Sequence, residues 1–166
     1  MSLRLIEPLD LESRATGDDH LSLRVWLRLL ACTNLIERRA RTRLRSEFAT
    51  TLPRFDLMAQ LERASRGLTM SEISKRLMVT GGNVTRLTDQ LEHEGLVARD
   101  PSPDDRRIST VRLTSAGRRA FAAMAARHES WILETFSALS HKERSHLHAL
   151  LAKLKRHLAE SEREDA

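Results

Sequence analysis

The chain has 166 residues, 40% of them hydrophobic, which suffices for one domain with its own core. A formal charge of +5 and a pI near 10.3 favour a polyanionic partner, nucleic acid first, although interleaved acids make this a patterned surface and not a basic tail. No apolar run approaches the ~20 residues of a membrane span, the first residues lack a signal peptide's apolar core, and the single Cys32 cannot form an internal disulfide, so the expected location is the cytoplasm.

Residues 1–19 read as a flexible N-terminal segment. A long helix follows, capped by Asp18 or Asp19 and running through about Phe48. Leu23, Leu27 and Leu30 line one of its faces and Val25, Leu29 and Ile36 another, and a helix apolar on two sides needs two partners. Cys32 sits among Leu29, Leu30, Leu35 and Ile36, surroundings expected to leave its thiol unreactive. The later arginines, Arg38, Arg39, Arg41, Arg43 and Arg45, form a solvated face or a strip that meets phosphates.

Further along, Thr69 and Glu72 have the spacing of a capping box and open a short helix that carries Ile73 and Leu77 on one face. Thr80 supplies a fresh N-cap for a second helix through about Glu94, which Gly95 ends. Val84, Leu87, Thr88 and Leu91 repeat at core spacing, leaving Gly82, Asn83, Thr85, Arg86, Asp89, Gln90 and His93 outward. A helix that reads a major groove needs a slim first turn and early side chains able to bond base edges or phosphates. Asn83 suits adenine and Arg86 guanine, each good pair giving roughly 1–3 kcal/mol of discrimination. The helix pair alone also fits a surface helix whose polar face meets water.

Two β-like runs, Leu96-Val97-Ala98-Arg99 and Ile108-Ser109-Thr110-Val111-Arg112-Leu113, flank a loop of turn formers at 100–107, which predicts a hairpin with a charged tip. Arginine on such a tip suits a narrow minor groove. Because Asp104 and Asp105 would repel phosphate, Asp105 is expected to hold Arg107 and shape the loop while Arg106 reaches DNA. Two more helices are expected, at 115–136 and 141–159, the second capped by Ser140 with Leu147, Leu150, Leu151, Leu154 and Leu158 at core spacing.

The chain resembles the MarR-type winged helix-turn-helix transcriptional regulators. The likeness is carried by Gly82-Asn83-Val84-Thr85-Arg86-Leu87, by Leu91-Glu92-His93-Glu94-Gly95-Leu96-Val97-Ala98-Arg99, by Asp105-Arg106-Arg107 and by Leu113-Thr114-Ser115-Ala116-Gly117. It implies a mainly α fold with a small β-hairpin wing, divided into a flexible 1–19, a first dimerisation helix in 20–52, a winged helix-turn-helix in 53–114 and C-terminal dimerisation helices in 115–166, within one compact domain. It further implies a homodimer on double-stranded DNA with a pseudo-palindromic operator. The DNA-binding residues would be Thr80, Gly82, Asn83, Thr85, Arg86, Gln90, Arg106 and Arg107, with Asp105 structuring the wing.

Effectors of the family, often aromatic acids or phenols, lodge between the dimerisation helices and the reading head. The candidates that could line such a site here are Arg24, Trp26, Arg28, Phe55, Met58 and Trp131. The local wording at 77–85, with His128-Glu129-Ser130-Trp131, is similar to a branch that controls aromatic catabolism, which implies a repressor released by an aromatic acid or its coenzyme A thioester.

The seven histidines show no metal-ligand spacing, and nucleophile elbow, phosphate loop and HExxH are all absent, so no metal, cofactor or enzymatic activity is expected. Two other readings stand beside the regulator: a winged-helix module used for protein contact without DNA binding, and a regulator that senses oxidants through Cys32.

Overall fold

The computed structural model describes residues 20–101 and 109–164. They divide into two compact units, one reaching to Met124 and the other starting at Ala125.

Helix α1 (Leu21–Phe48) has His20 at its N-cap position, whose side chain makes no capping bond; the expected caps Asp18 and Asp19 lie outside the described residues. Only Ala40 and Leu44 of α1 are buried. The helix ends at Ala49, which adopts the left-handed conformation (φ 50°) that residues with a Cβ rarely take. The chain thereby turns a corner, with the Ala49 amide donating to the Arg45 carbonyl at 3.1 Å and the Thr50 amide to the Leu44 carbonyl at 3.3 Å. Helix α2 (Leu52–Glu62) follows with Pro53 in its first turn, where a missing N–H costs nothing, and buries Phe55, Leu57, Met58 and Leu61.

Strand β1 (Leu68–Thr69) leads directly into α3 (Met70–Leu77). The capping box is complete: the Thr69 hydroxyl accepts from the Glu72 amide at 3.2 Å, and the Glu72 carboxylate accepts from the Thr69 amide at 2.7 Å. Those bonds, the backbone one foremost, hold the Glu72 carboxyl below its ordinary pKa. Met78, left-handed like Ala49, closes α3 as its amide donates to the Lys75 carbonyl and that of Val79 to the Ser74 carbonyl.

Helix α4 (Gly81–His93) buries Val84, Leu87, Thr88 and Leu91, the face its periodicity predicts. Gly95, at φ 70°, ends it with the same paired bonds, and the chain runs into β2 (Val97–Pro101). This strand pairs antiparallel with β3 (Ser109–Leu113) in the register Val97↔Leu113 to Pro101↔Ser109. These are the two strands expected of the wing; β1 adds a third on the far side of β3, giving the order β1-β3-β2.

Helix α5 (Ser115–Thr135) starts from Thr114, whose hydroxyl donates to the Gly95 carbonyl at 2.7 Å and accepts the Gly117 amide at 3.0 Å. A Cβ at Gly117 would lie 1.9 Å from the Leu96 carbonyl oxygen, so only glycine fits where α5 crosses the start of the wing. The Thr114-Ser115-Ala116-Gly117 motif is thus the joint between wing and helix.

In the second unit, α6 (His141–Glu164) opens with a box of its own, the Ser140 hydroxyl accepting the Glu143 amide at 3.3 Å and the Glu143 carboxylate the Ser140 amide at 2.8 Å. Those bonds, the side-chain one foremost, lower the Glu143 pKa. Its leucines do not reach a core within the protomer: Leu150, Leu151, Leu154 and Leu158 are exposed and Leu147 is half-buried. Helix α1 is alike, with Leu21, Leu23, Val25, Trp26, Leu30 and Leu35 exposed. Cys32 is exposed as well, which corrects the expectation of an apolar shelter: in the protomer Leu30 and Leu35 are exposed with it, and Leu29 and Ile36 are half-buried. No helix among the described residues is long and apolar enough to cross a membrane.

Candidate nucleic-acid interface

The outward face of α4 is built by subtraction. With Val84, Leu87, Thr88 and Leu91 turned into the core, the helix leaves Gly81, Gly82, Asn83, Thr85, Arg86, Asp89 and Gln90 exposed, together with Thr80 before it. Thr80 occupies the N-cap position, but its side chain makes no capping bond; its backbone carbonyl accepts the Asn83 and Val84 amides at 3.0 and 3.2 Å. The absent side-chain cap leaves early amides of α4 open to an external acceptor. Thr85 turns its hydroxyl back to the Gly81 carbonyl at 3.0 Å, so only the lone pairs of its oxygen remain for a partner.

Gly81 and Gly82 have no internal reason to be glycine. Neither has a positive φ, and a Cβ on either would meet nothing within 4 Å. In this they differ from Gly117 and Gly95, whose surroundings or conformation demand glycine. A first turn stripped of side chains and open to solvent fits the close approach of a large external surface.

The orientation of α4 is fixed by ion pairs that span separate elements, which spacing in the sequence does not reveal. Arg99 on β2 pairs with Asp89 through one nitrogen and reaches Glu92 at 3.1 Å through another. This clamp ties the helix to the base of the wing and offsets two acids that would otherwise repel phosphate. Arg54 of α2 pairs with Glu94 at the end of α4. The Ser74 hydroxyl donates to the Val79 carbonyl at 2.6 Å and pins the turn between α3 and α4.

Within the wing, Arg112 bonds the Asp100 carboxylate. That hydrogen bond lowers the Asp100 pKa and raises that of Arg112. The expected tip residues Asp105, Arg106 and Arg107 lie outside the described residues, as does the anticipated Asp105–Arg107 pairing. The described strands carry that loop from a base cross-linked by Arg112 and Asp100.

The effector candidates differ in their setting within each unit. Arg24, Trp26 and Arg28 lie on the exposed stretch of α1. Phe55 and Met58 are buried in the first unit, Phe55 with its ring centroid 5.5 Å from that of Phe121. Trp131 is buried in the second unit, edge-on to His128, whose pKa is lowered by burial. A cleft of about 540 Å³ opens instead at the α1–α2 corner, lined by Arg41, Thr42, Arg45, Ser46, Thr50, Thr51, Leu52 and Pro53. Among the described residues no three His, Cys, Asp or Glu side chains gather to hold a metal ion.

Comparison with known proteins agrees with this geometry. The sequence model described as "MarR family" matches residues 50–109, from the α1–α2 corner to the start of β3. The HTH-type transcriptional regulator PecS of Dickeya dadantii is 30% identical over 131 residues, which span 78% of this chain and 79% of that one. The chain belongs to the MarR family. It is therefore a winged-helix, DNA-binding transcriptional regulator and not an enzyme. Among solved structures, a MarR-family regulator from Silicibacter pomeroyi superposes with a TM-score of 0.73 at 28% identity, covering 87% of this chain and 99% of that one. A variant of E. coli MarR complexed with operator DNA has the same fold, with a TM-score of 0.71 at 24% identity over 84% of this chain and 99% of that one.

Proposed function

We propose that this regulator is a homodimeric repressor of aromatic-compound catabolism that grips a pseudo-palindromic operator and is released by an aromatic acid or its coenzyme A thioester. The observation that carries the DNA reading is the bare first turn of α4, where Gly81 and Gly82 face open space beside exposed Asn83 and Arg86. Asn83 and Arg86 contact base edges; Thr80, Thr85 and Gln90 bond phosphates or sugars; Arg106 enters the minor groove, while Arg107 and Asp105 shape the wing. The operator complex of the E. coli MarR variant supports this mode of use for the shared fold.

The exposed leucines of α1 and α6 support a second copy, because a chain that leaves this much apolar surface bare favours covering it. A dimer presents two α4 helices to successive major grooves ~34 Å apart. An effector that binds the wrong spacing more tightly shifts the population away from DNA.

Fluorescence anisotropy on DNA from the gene's own upstream region tests this, with a panel of aromatic acids and their thioesters added. Salt-sensitive binding released by a panel member is expected. Binding that no panel member releases would contradict the effector reading, and the absence of sequence-preferring binding would contradict the operator reading.

A further inference from the structure

We propose that Arg54 sets how sharply this regulator discriminates its operator, as a positioning residue that acts through Glu94 and touches no DNA itself. This rests on α4 being the reading helix. Arg54 lies in the first turn of α2, just after the corner at Ala49 and Thr50, and one of its terminal nitrogens bonds the Glu94 carboxylate at the C-terminal end of α4. The pair therefore joins the start of α2 to the end of α4, within the first unit.

Stability alone is a poor account of this pair. The Arg54 side chain is only 15% exposed, whereas that of Glu94 is 43% exposed. Among the described residues, Arg54 Nε is the one buried side-chain nitrogen or oxygen without a hydrogen-bond partner. A guanidinium taken out of water with a donor left over costs free energy that a half-exposed carboxylate offsets only in part, and an apolar side chain of similar volume would pack there at lower cost. What the charge supplies, and an apolar group cannot, is direction. The inner face of α4, made of Val84, Leu87, Thr88 and Leu91, is held mainly by apolar burial, which is non-directional. An ion pair at the end of the helix fixes its rotation and slide against α2.

Glu94 also stands where the two elements assigned to DNA share a root. The Gly95 amide donates to the Glu92 carbonyl and the Leu96 amide to the Leu91 carbonyl, each at 2.9 Å, which closes α4. The Thr114 hydroxyl donates to the Gly95 carbonyl at 2.7 Å and its amide to the Leu96 carbonyl at 3.0 Å, tying the same turn to the end of β3. Arg54 thus anchors the turn from which both α4 and the wing set out. Arg99 grips α4 from the wing itself and cannot orient the two against the rest of the head, whereas Arg54 reaches them from α2. Loss of the link blunts the fit of helix and wing together, unlike loss of Asn83, which concerns one base position. General attraction to phosphates needs no such precision.

Anisotropy titrations of the full chain test this, with the upstream DNA and a random-sequence duplex of equal length measured over a series of salt concentrations. Arg54→Met, Arg54→Lys and Glu94→Gln are compared with the wild type and with Arg86→Ala, each checked for folding by circular dichroism; Glu94→Gln, at a half-exposed position, decides if Arg54→Met does not fold. Arg54→Met and Glu94→Gln should each lower affinity for the upstream DNA about tenfold, while affinity for the random duplex and the salt slope stay as in the wild type. Arg54→Lys, which keeps the charge and a donor toward Glu94, should stay close to the wild type. On point-substituted upstream DNA the lost preference should spread over the half-site. Upstream preference unchanged in Arg54→Met and Glu94→Gln, but lost in Arg86→Ala, would overturn the role of Arg54 and leave α4 as the reading helix. An equal loss on both duplexes with a shallower salt slope would make Arg54 a phosphate contact and overturn the positioning role. An Arg86→Ala protein that binds as the wild type does, or a wild type without sequence preference, would overturn the reading of α4 and this role with it.

Discussion

Helix α4 and helix α6 are both amphipathic, yet within one protomer they meet opposite fates. Leu91 of α4 is fully buried, and every apolar residue on its inner face finds a partner in the same chain. Leu154 of α6 is 41% exposed, and its neighbours Leu150, Leu151 and Leu158 are exposed with it. The reading head completes its own core, so its outward polar face is free to specialise. The flanking helices do not, and on the proposed reading their apolar faces are the part of the sequence addressed to another copy. The same period in sequence thus accompanies a closed core in one place and an exposed apolar face in the other.

This contrast can be broken by substitution. Leu91→Ala should cost about 2–5 kcal/mol in chemical denaturation, with the mass in solution unchanged while the protein stays folded. A loss below about 1 kcal/mol would mean that the head is not packed as described. Leu154→Asp should do the reverse, raising the dimer dissociation constant about a hundredfold or more in sedimentation equilibrium as a charge is forced into an apolar interface. A dimer that persists at wild-type affinity would remove α6 from the interface.

The polar face gives a smaller effect. Asn83→Ala should relax base preference at one position of each half-site by about 1–3 kcal/mol, read by competition with point-substituted operators. An unchanged preference would refute direct readout there. Smallest is the capping box. Because the folded state holds the Glu72 carboxyl below its ordinary value of 4.5, its contribution is present above that pH and lost as pH falls through the lowered folded value. Glu72→Gln should therefore lower stability by up to about 1 kcal/mol at neutral pH, with the difference from wild type shrinking in acid. A pH-independent difference would assign the effect to something other than the carboxylate.

Much of the head was legible in the sequence because its determinants are local. The Thr69–Glu72 box is a matter of spacing three apart, and the buried face of α4 is set by Val84, Leu87, Thr88 and Leu91. What escaped was set by contacts between distant elements or by conformations without a residue signature. The Arg99 clamp on Asp89 and Glu92 joins a strand to a helix, and β1 is only two residues long. Left-handed Ala49 and Met78 carry no glycine to announce them, so the corner that opens the cleft could not be foreseen. Leucines adjacent to Cys32 in sequence do not shelter it, because in the protomer Leu30 and Leu35 are exposed as it is. Of the effector candidates, Phe55, Met58 and Trp131 are buried in the protomer, whereas Arg24, Trp26 and Arg28 lie on the exposed face of α1, a difference in burial that residue type alone does not give.

The most direct test of the central claim, that the outward face of α4 reads DNA, is the affinity of Arg86→Ala for the upstream DNA measured by anisotropy beside the wild type at one fixed salt concentration. The account predicts a loss of about 1–3 kcal/mol, roughly five- to a hundredfold and more, with the fold intact by circular dichroism. Equal affinity of the two proteins would contradict it and move the DNA-binding surface elsewhere on the molecule.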